Sequence, residues 1–155
     1  MNARLLSVAA MVISVLTGLL FCVSASMACE IGNLTRTKDA SYQPVTEAIS
    51  NLHQVDQTVE IVIFHGAWCP DSQREVPRFM HILELANNSR LHFTEYEVNR
   101  QKEDATGRFQ EYDIQYVPTF IFLSNGKELG RIVESPKKSL EEDFVTITNN
   151  LNSQQ

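Results

Sequence analysis

The sequence predicts a single α/β domain in which helices flank a central mixed β-sheet. Two apolar runs, Glu60-Ile61-Val62-Ile63-Phe64 and Thr119-Phe120-Ile121-Phe122-Leu123, are β-branched and aromatic and have the length of buried strands. Segments of helical periodicity lie between and around them, and Asn125-Gly126 after the second run marks a tight hairpin. The 155 residues, 43% hydrophobic and 21% charged, suit one domain with its own core and exclude a multidomain enzyme.

Taken in order, Glu30 to about Gln43 is polar and unpatterned and reads as an extension. Pro44 to Leu52 carries Val45, Ala48, Ile49 and Leu52 at helical spacing, with Pro44 suited to the first helical position. After the strand ending at His65-Gly66, Ser72 to Ala86 sets Val76, Phe79, Met80, Leu83 and Ala86 on one helical face. Ser72 is the expected cap, with Glu75 completing a capping box, and Pro77 removes a backbone hydrogen bond inside the helix. Leu91 to Val98 alternates imperfectly as a strand, and Glu103 to Tyr112 is expected to be helical. Glu128 to Val133 should return antiparallel beyond the hairpin. Ser139 to Leu151 closes the domain as a helix with Leu140, Phe144, Ile147 and Leu151 inward, its Glu141-Glu142-Asp143 run read as a solvated first turn.

Charge and cysteine usage exclude several functions. Thirteen Lys and Arg against 19 Asp and Glu give a net charge of −6, the wrong sign for holding phosphate backbones, so nucleic acid is not an expected partner. Cys22, Cys29 and Cys69 are too few for a disulfide scaffold. His53, His65, His81 and His92 stand at no metal-ligand spacing with a second soft ligand, so neither a metal nor another cofactor is expected. Asn33-Leu34-Thr35 and Asn87-Asn88-Ser89 fit a glycosylation pattern that is common by chance and carries no meaning in a bacterial host.

Residues 1–28 read as a secretory signal: Arg4, an apolar stretch from Leu5 to Val23, then Ser24-Ala25-Ser26-Met27-Ala28, with cleavage after Ala25 or Ala28. Residues 29–43 then form the polar extension and 44–155 the folded domain. The expected destination is the bacterial periplasm, or full secretion. The same apolar stretch is also long enough to stay uncleaved as a membrane anchor, and Cys29 is placed to receive a lipid; after cleavage no stable span is expected. Outside the cytosol an exposed thiol meets an oxidising pool.

At the junction of the first strand and the bent helix stands Trp68-Cys69-Pro70-Asp71-Ser72. Together with Pro77 eight residues after Cys69, the Val117-Pro118-Thr119 entry to the next strand and the Asn125-Gly126 hairpin, this arrangement resembles the thioredoxin superfamily over Pro44 to Leu151. A thioredoxin-like fold is what the resemblance implies, with Cys69 as an attacking thiolate favoured by the helix N-terminus. Pro118 is similar to the family's cis-proline, which leaves the backbone of Val117 free to pair with an extended substrate.

Departures from the family pattern bear on function. The second cysteine of dithiol members is Ser72, whose hydroxyl can bond to the Cys69 thiolate but cannot resolve a mixed disulfide. The buried acid those members carry six residues before the first cysteine is Ile63. His65 replaces a usual Trp and Glu134 a usual glycine at the groove. His65 reads either as a strand-end histidine bonded to backbone or water, or as an imidazolium that tunes Cys69. Asp71 reads either as a helix-start carboxylate or as one aimed at the sulfur, and Trp68 either as loop packing or as a rim residue contacting peptide.

The expected function is monothiol exchange at Cys69 with an external thiol resolving the product, by a monomer whose partners are protein or small-molecule thiols and disulfides. A competing reading is a non-catalytic module that holds clients in the groove. A third is dithiol exchange with Cys29 as a remote partner.

Overall fold

The structure, a computed structural model, describes residues 34–101 and 103–151. Residues 1–28, expected to be a secretory signal, and Cys22 and Cys29 lie outside the described residues. Eight elements follow in chain order: α1 (Thr46–His53), β1 (Val59–His65), α2 (Pro70–Ala86), β2 (Leu91–Glu97), α3 (Arg108–Glu111), β3 (Thr119–Ser124), β4 (Lys127–Val133) and α4 (Leu140–Thr148). Short 3₁₀ turns at Leu34–Arg36 and Asn149–Leu151 flank them. No helix among the described residues is long and apolar enough to cross a membrane.

The sheet runs β2-β1-β3-β4, with β1 parallel to β2 and antiparallel to β3, and β3 antiparallel to β4. It is the mixed sheet expected. Alternation along β1 and β3 divides the core between two faces. On one, Ile61, Ile63, Phe120 and Phe122 pack with Leu52, Phe79, Phe144 and neighbours from the long helices. On the other, Val62, Phe64, Ile121 and Leu123 pack with Cys69, Val98, Phe109 and Val117. The chemistry-bearing sulfur therefore rests on the second face, away from the helix-packed core. The hairpin is as expected: Asn125 at φ 50° and Gly126 at φ 74° make the two-residue turn that pairs Ser124 with Lys127.

Several elements depart from the expected ones. Pro44 does not start α1, because Val45 is still extended at ψ 117° and its N–H donates to Glu141 Oε1 at 3.0 Å. That same carboxylate accepts from the Tyr42 hydroxyl at 2.9 Å, and Glu141 is 1% exposed. The acidic start of α4 is thus not wholly solvated: Glu141 ties the segment before α1 to α4, while Ser139 caps the helix by accepting from the Glu142 N–H at 3.3 Å. In α2 the inward row contains Ile82, fully buried, whereas Leu83 is only partly so. β2 is a largely exposed edge, with Phe93 44% accessible, and Glu60 near the start of β1 also faces solvent.

The expected helix over 103–112 shrinks to Arg108–Glu111. Gly107 at φ 75° breaks helical geometry before it. Asp104 fixes the turn by accepting from the N–H groups of Thr106, Arg108 and Phe109 and from the Thr106 hydroxyl. Burial opposes ionisation of Asp104, but these hydrogen bonds outweigh it and hold the carboxyl below its usual range. Ahead of α1, Leu34 and Tyr42 pack on the core, Arg78 pairs with Asp39 at 3.4 Å, and its guanidinium lies over the Tyr42 ring.

Candidate active site around Cys69

Cys69 is the N-cap of α2, with Pro70 at the first helical position. This corrects the expectation that Ser72 caps the helix through a capping box. Proline at the first turn starts the helix three residues earlier without losing a hydrogen bond, and it leaves Ser72 inside the first turn. There the Ser72 hydroxyl is fully buried and accepts from the Gly66 N–H at 3.2 Å. The Gly66 carbonyl in turn accepts from the Cys69 N–H at 2.9 Å. Both residues of the motif are therefore pinned to the turn that follows β1. Glu75, the expected capping partner, is instead buried and ion-paired with Arg74 at 2.6 Å.

The Cys69 thiol is 8% exposed and donates to the Val117 carbonyl at 3.2 Å. The Val117–Pro118 peptide is cis, as the resemblance implied. Pro118 O accepts from the Glu134 N–H at 2.7 Å, and the Thr119 hydroxyl donates to Tyr116 O at 2.8 Å, so the segment 116–119 is held from both sides. Val117 N–H has no partner among the described residues. Trp68 is anchored by its indole N–H, which donates to Val98 O at 2.9 Å, while the Arg100 guanidinium lies over the ring at 5.3 Å. A Cβ at Gly66 would come within 2.7 Å of that indole, so glycine is required there for close approach. Between these elements opens a cavity of about 210 Å³, lined by Trp68, Cys69, Phe109 and Val117 and bounded by Glu134.

Asp71 lies in the first turn of α2 with its carboxylate ion-paired to Arg74 at 2.7 Å, so it is engaged within the helix. His65 ends β1 and does not face Cys69. Strand alternation turns it to the Ile61 and Ile63 face, whereas Cys69 packs with Val62 and Phe64. The imidazole is 1% exposed, its Nε2 is 3.4 Å from Glu95 Oε2, and its Nδ1 has no partner among the described residues. Glu95 also accepts from the Thr35 hydroxyl and stands opposite Ile63 in the sheet register.

Burial pushes the His65 imidazole below its ordinary value, against the opposing pull of Glu95 and Glu97. The unfolded chain thus binds its proton more readily than the folded one does. His65 stabilises the fold fully above the unfolded value of about 6.5, and that contribution declines as pH falls through and below it. Urea unfolding from about pH 7.5 to 5 should show a steeper loss of stability for the wild type than for His65→Gln. Equal slopes would contradict the assignment.

The motif residues Trp68, Pro70, Asp71 and Ser72, together with Val117, Pro118 and Thr119, gather around Cys69, whereas His65 faces the other way. Sequence reasoning missed Val98, Phe109, Tyr116, Gly66 and Arg100. The apolar character of Val98 was legible, but its role as acceptor for Trp68 depends on a contact 30 residues away.

The family comparison agrees with this geometry. The sequence model for thioredoxin matches residues 32–146. Thioredoxin H9 of Arabidopsis thaliana is 29% identical over 98 residues, which cover 62% of this chain and 66% of that protein. A thioredoxin of Malassezia sympodialis is 26% identical over 100 residues, or 61% of this chain and 91% of the relative. The chain spans a smaller share, 21%, of a TPR repeat-containing thioredoxin of Arabidopsis thaliana. Among solved structures, a protein of unknown function from Pseudomonas aeruginosa shares the fold with a TM-score of 0.53 at 15% identity, over 84% of this chain and 89% of its own. With a match across most of its length, the strand-to-helix cysteine and the cis-proline facing it, the chain belongs to the thioredoxin family.

Proposed function

We propose that the protein carries out thiol-disulfide exchange through Cys69 alone, with an external thiol completing each cycle, after export guided by residues 1–28. The observation that carries this reading is the pairing of Cys69 with a fully buried Ser72 at the start of α2, beside cis-Pro118 and open to the cavity. Cys69 gives up its proton to solvent, and its sulfur attacks one sulfur of a disulfide. A Cys69 mixed disulfide forms as the second substrate sulfur leaves reduced, as thiolate. A low-molecular-weight or protein thiolate then attacks the half of the mixed disulfide carried by the substrate. Cys69 leaves as thiolate and a new disulfide departs, so oxidation and reduction balance between the two external partners.

Ser72→Cys tests the monothiol assignment. N-cap and third helical position lie one turn apart, so the introduced thiol should reach Cys69 and form a disulfide under mild oxidation. Release of a mixed disulfide should then proceed without external thiol, slowly near neutral pH and faster as pH rises, because the fully buried Ile63 offers no proton acceptor. Mass mapping and single-turnover kinetics read both effects. Failure to form the 69–72 disulfide would count against the site geometry.

A client-holding module is the second reading, favoured by the 8% exposure of Cys69 against an apolar cavity. Under it, capture of an unfolded polypeptide persists in Cys69→Ala; loss of all capture would leave only retention through a covalent link at Cys69.

A further inference from the structure

Of the side chains that line the cavity beside Cys69, only Glu134 carries a formal charge. Its backbone is fixed, with the N–H bonded to Pro118 O at 2.7 Å and φ at +58°, a left-handed conformation that disfavours any residue with a Cβ. The side chain is exposed, and no ion pair or hydrogen bond engages its carboxylate among the described residues. Two nearby arginines are committed elsewhere, while the Arg100 guanidinium lies over the Trp68 ring at 5.3 Å. Arg74, which reaches Ser135 at 3.4 Å, is held by Asp71 and Glu75, and Arg131 is held by Glu128 at 2.7 Å. The remainder of the wall is mostly apolar, formed by Val98, Phe109, Tyr116 and Val117 together with Trp68, with the neutral Gln115 beside them. The site thus offers room for an apolar side chain, with a free carboxylate at its edge.

We propose that Glu134 makes this groove select polypeptide disulfides that present an apolar side chain and a cation beside the reacting cysteine, and disfavour small anionic disulfides such as glutathione disulfide. The proposal rests on the exchange reading of Cys69. Glutathione brings two carboxylates and one ammonium per half, a net negative charge, and no large apolar group, so it leaves the cavity unfilled and meets Glu134 with like net charge. The net charge of −6 repels anions at longer range in the same sense. A basic segment instead gains the attraction of the only charged group in the groove wall.

Two otherwise identical short peptides, each linked through one cysteine to an aryl thiol, carry leucine on one side of that cysteine and lysine or glutamate on the other. For the wild-type chain, kcat/KM should favour the lysine peptide by roughly five-fold at low salt, with the preference shrinking as ionic strength rises. Glu134→Gln should bring the ratio near one, and Glu134→Lys should invert it. An unchanged ratio in both variants would overturn the proposal. The same peptides with serine in place of cysteine, bound to Cys69→Ala and followed by the fluorescence of the single tryptophan, Trp68, read the charge preference without chemistry. If no protein turns over either disulfide, the exchange reading fails, and the binding ratio between the Glu134 variants still decides the role of Glu134.

Discussion

Replacing Cys69 with alanine is expected to bring turnover of a peptide mixed disulfide, with glutathione as the external thiol, down to the uncatalysed rate. Every step assigned to the site passes through this sulfur, and no other cysteine lies among the described residues. The substitution removes little else. The 3.2 Å contact with Val117 O is lost, but that carbonyl borders a cavity and can turn to water, while the N-cap geometry rests on the Cys69 backbone. Stability should therefore change by no more than ~1 kcal/mol. Equal turnover by wild type and variant would remove Cys69 from the mechanism, and loss of the folded state would show that the thiol is structural. Circular dichroism and urea unfolding, run beside the kinetics, separate these outcomes.

A second large effect is expected in the core. Phe79 of α2 is fully buried, and its ring lies 4.5 Å from Phe120, 6.0 Å from Phe122 and 5.7 Å from Phe144, joining α2 to β3 and α4. Phe79→Ala removes a ring that three elements share, and the close-packed surroundings can collapse only partly into the gap. The cost should be about 3–5 kcal/mol, a lowering of Tm by roughly 10–20 °C for a domain of this size. Because Phe79 belongs to the face that packs with Ile61 and Ile63, while Cys69 lies with Val62 and Phe64, the variant should retain its thiol alkylation rate while folded. A Tm within a few degrees of wild type would mean that this aromatic cluster does not hold the domain together.

These two residues mark how the sequence could be read. Phe79, the strand Thr119–Ser124 and the Asn125-Gly126 turn were legible because their signals are local: helical period, an unbroken apolar run and two adjacent positive-φ positions. The motif and cis-Pro118 were legible as a pattern of residues at set spacings. Glu141 was misread because its partners, Tyr42 and Val45, lie 99 and 96 residues away, and no local rule pairs them. The helix expected over 103–112 failed because Gly107 and the Asp104 hydrogen bonds outweigh modest helical periodicity. At the site, the Ser72 bond to Gly66 belongs to the turn before the helix and carried no sequence signal. Likewise, the Glu95 carboxylate opposite Ile63, shared by His65 and Thr35, emerges only from sheet register and the packing of residues before α1.

The central claim, exchange through one sulfur, is tested most directly by mixing the protein with excess chromogenic aryl disulfide and no other thiol. A single equivalent of aryl thiolate should appear and then release should stop, with the adduct mapped by mass to Cys69. Adding glutathione should discharge the adduct and start continuous turnover in proportion to the thiol supplied. Repeated release without added thiol, or a Cys29–Cys69 linked peptide in place of the adduct, would contradict the monothiol account.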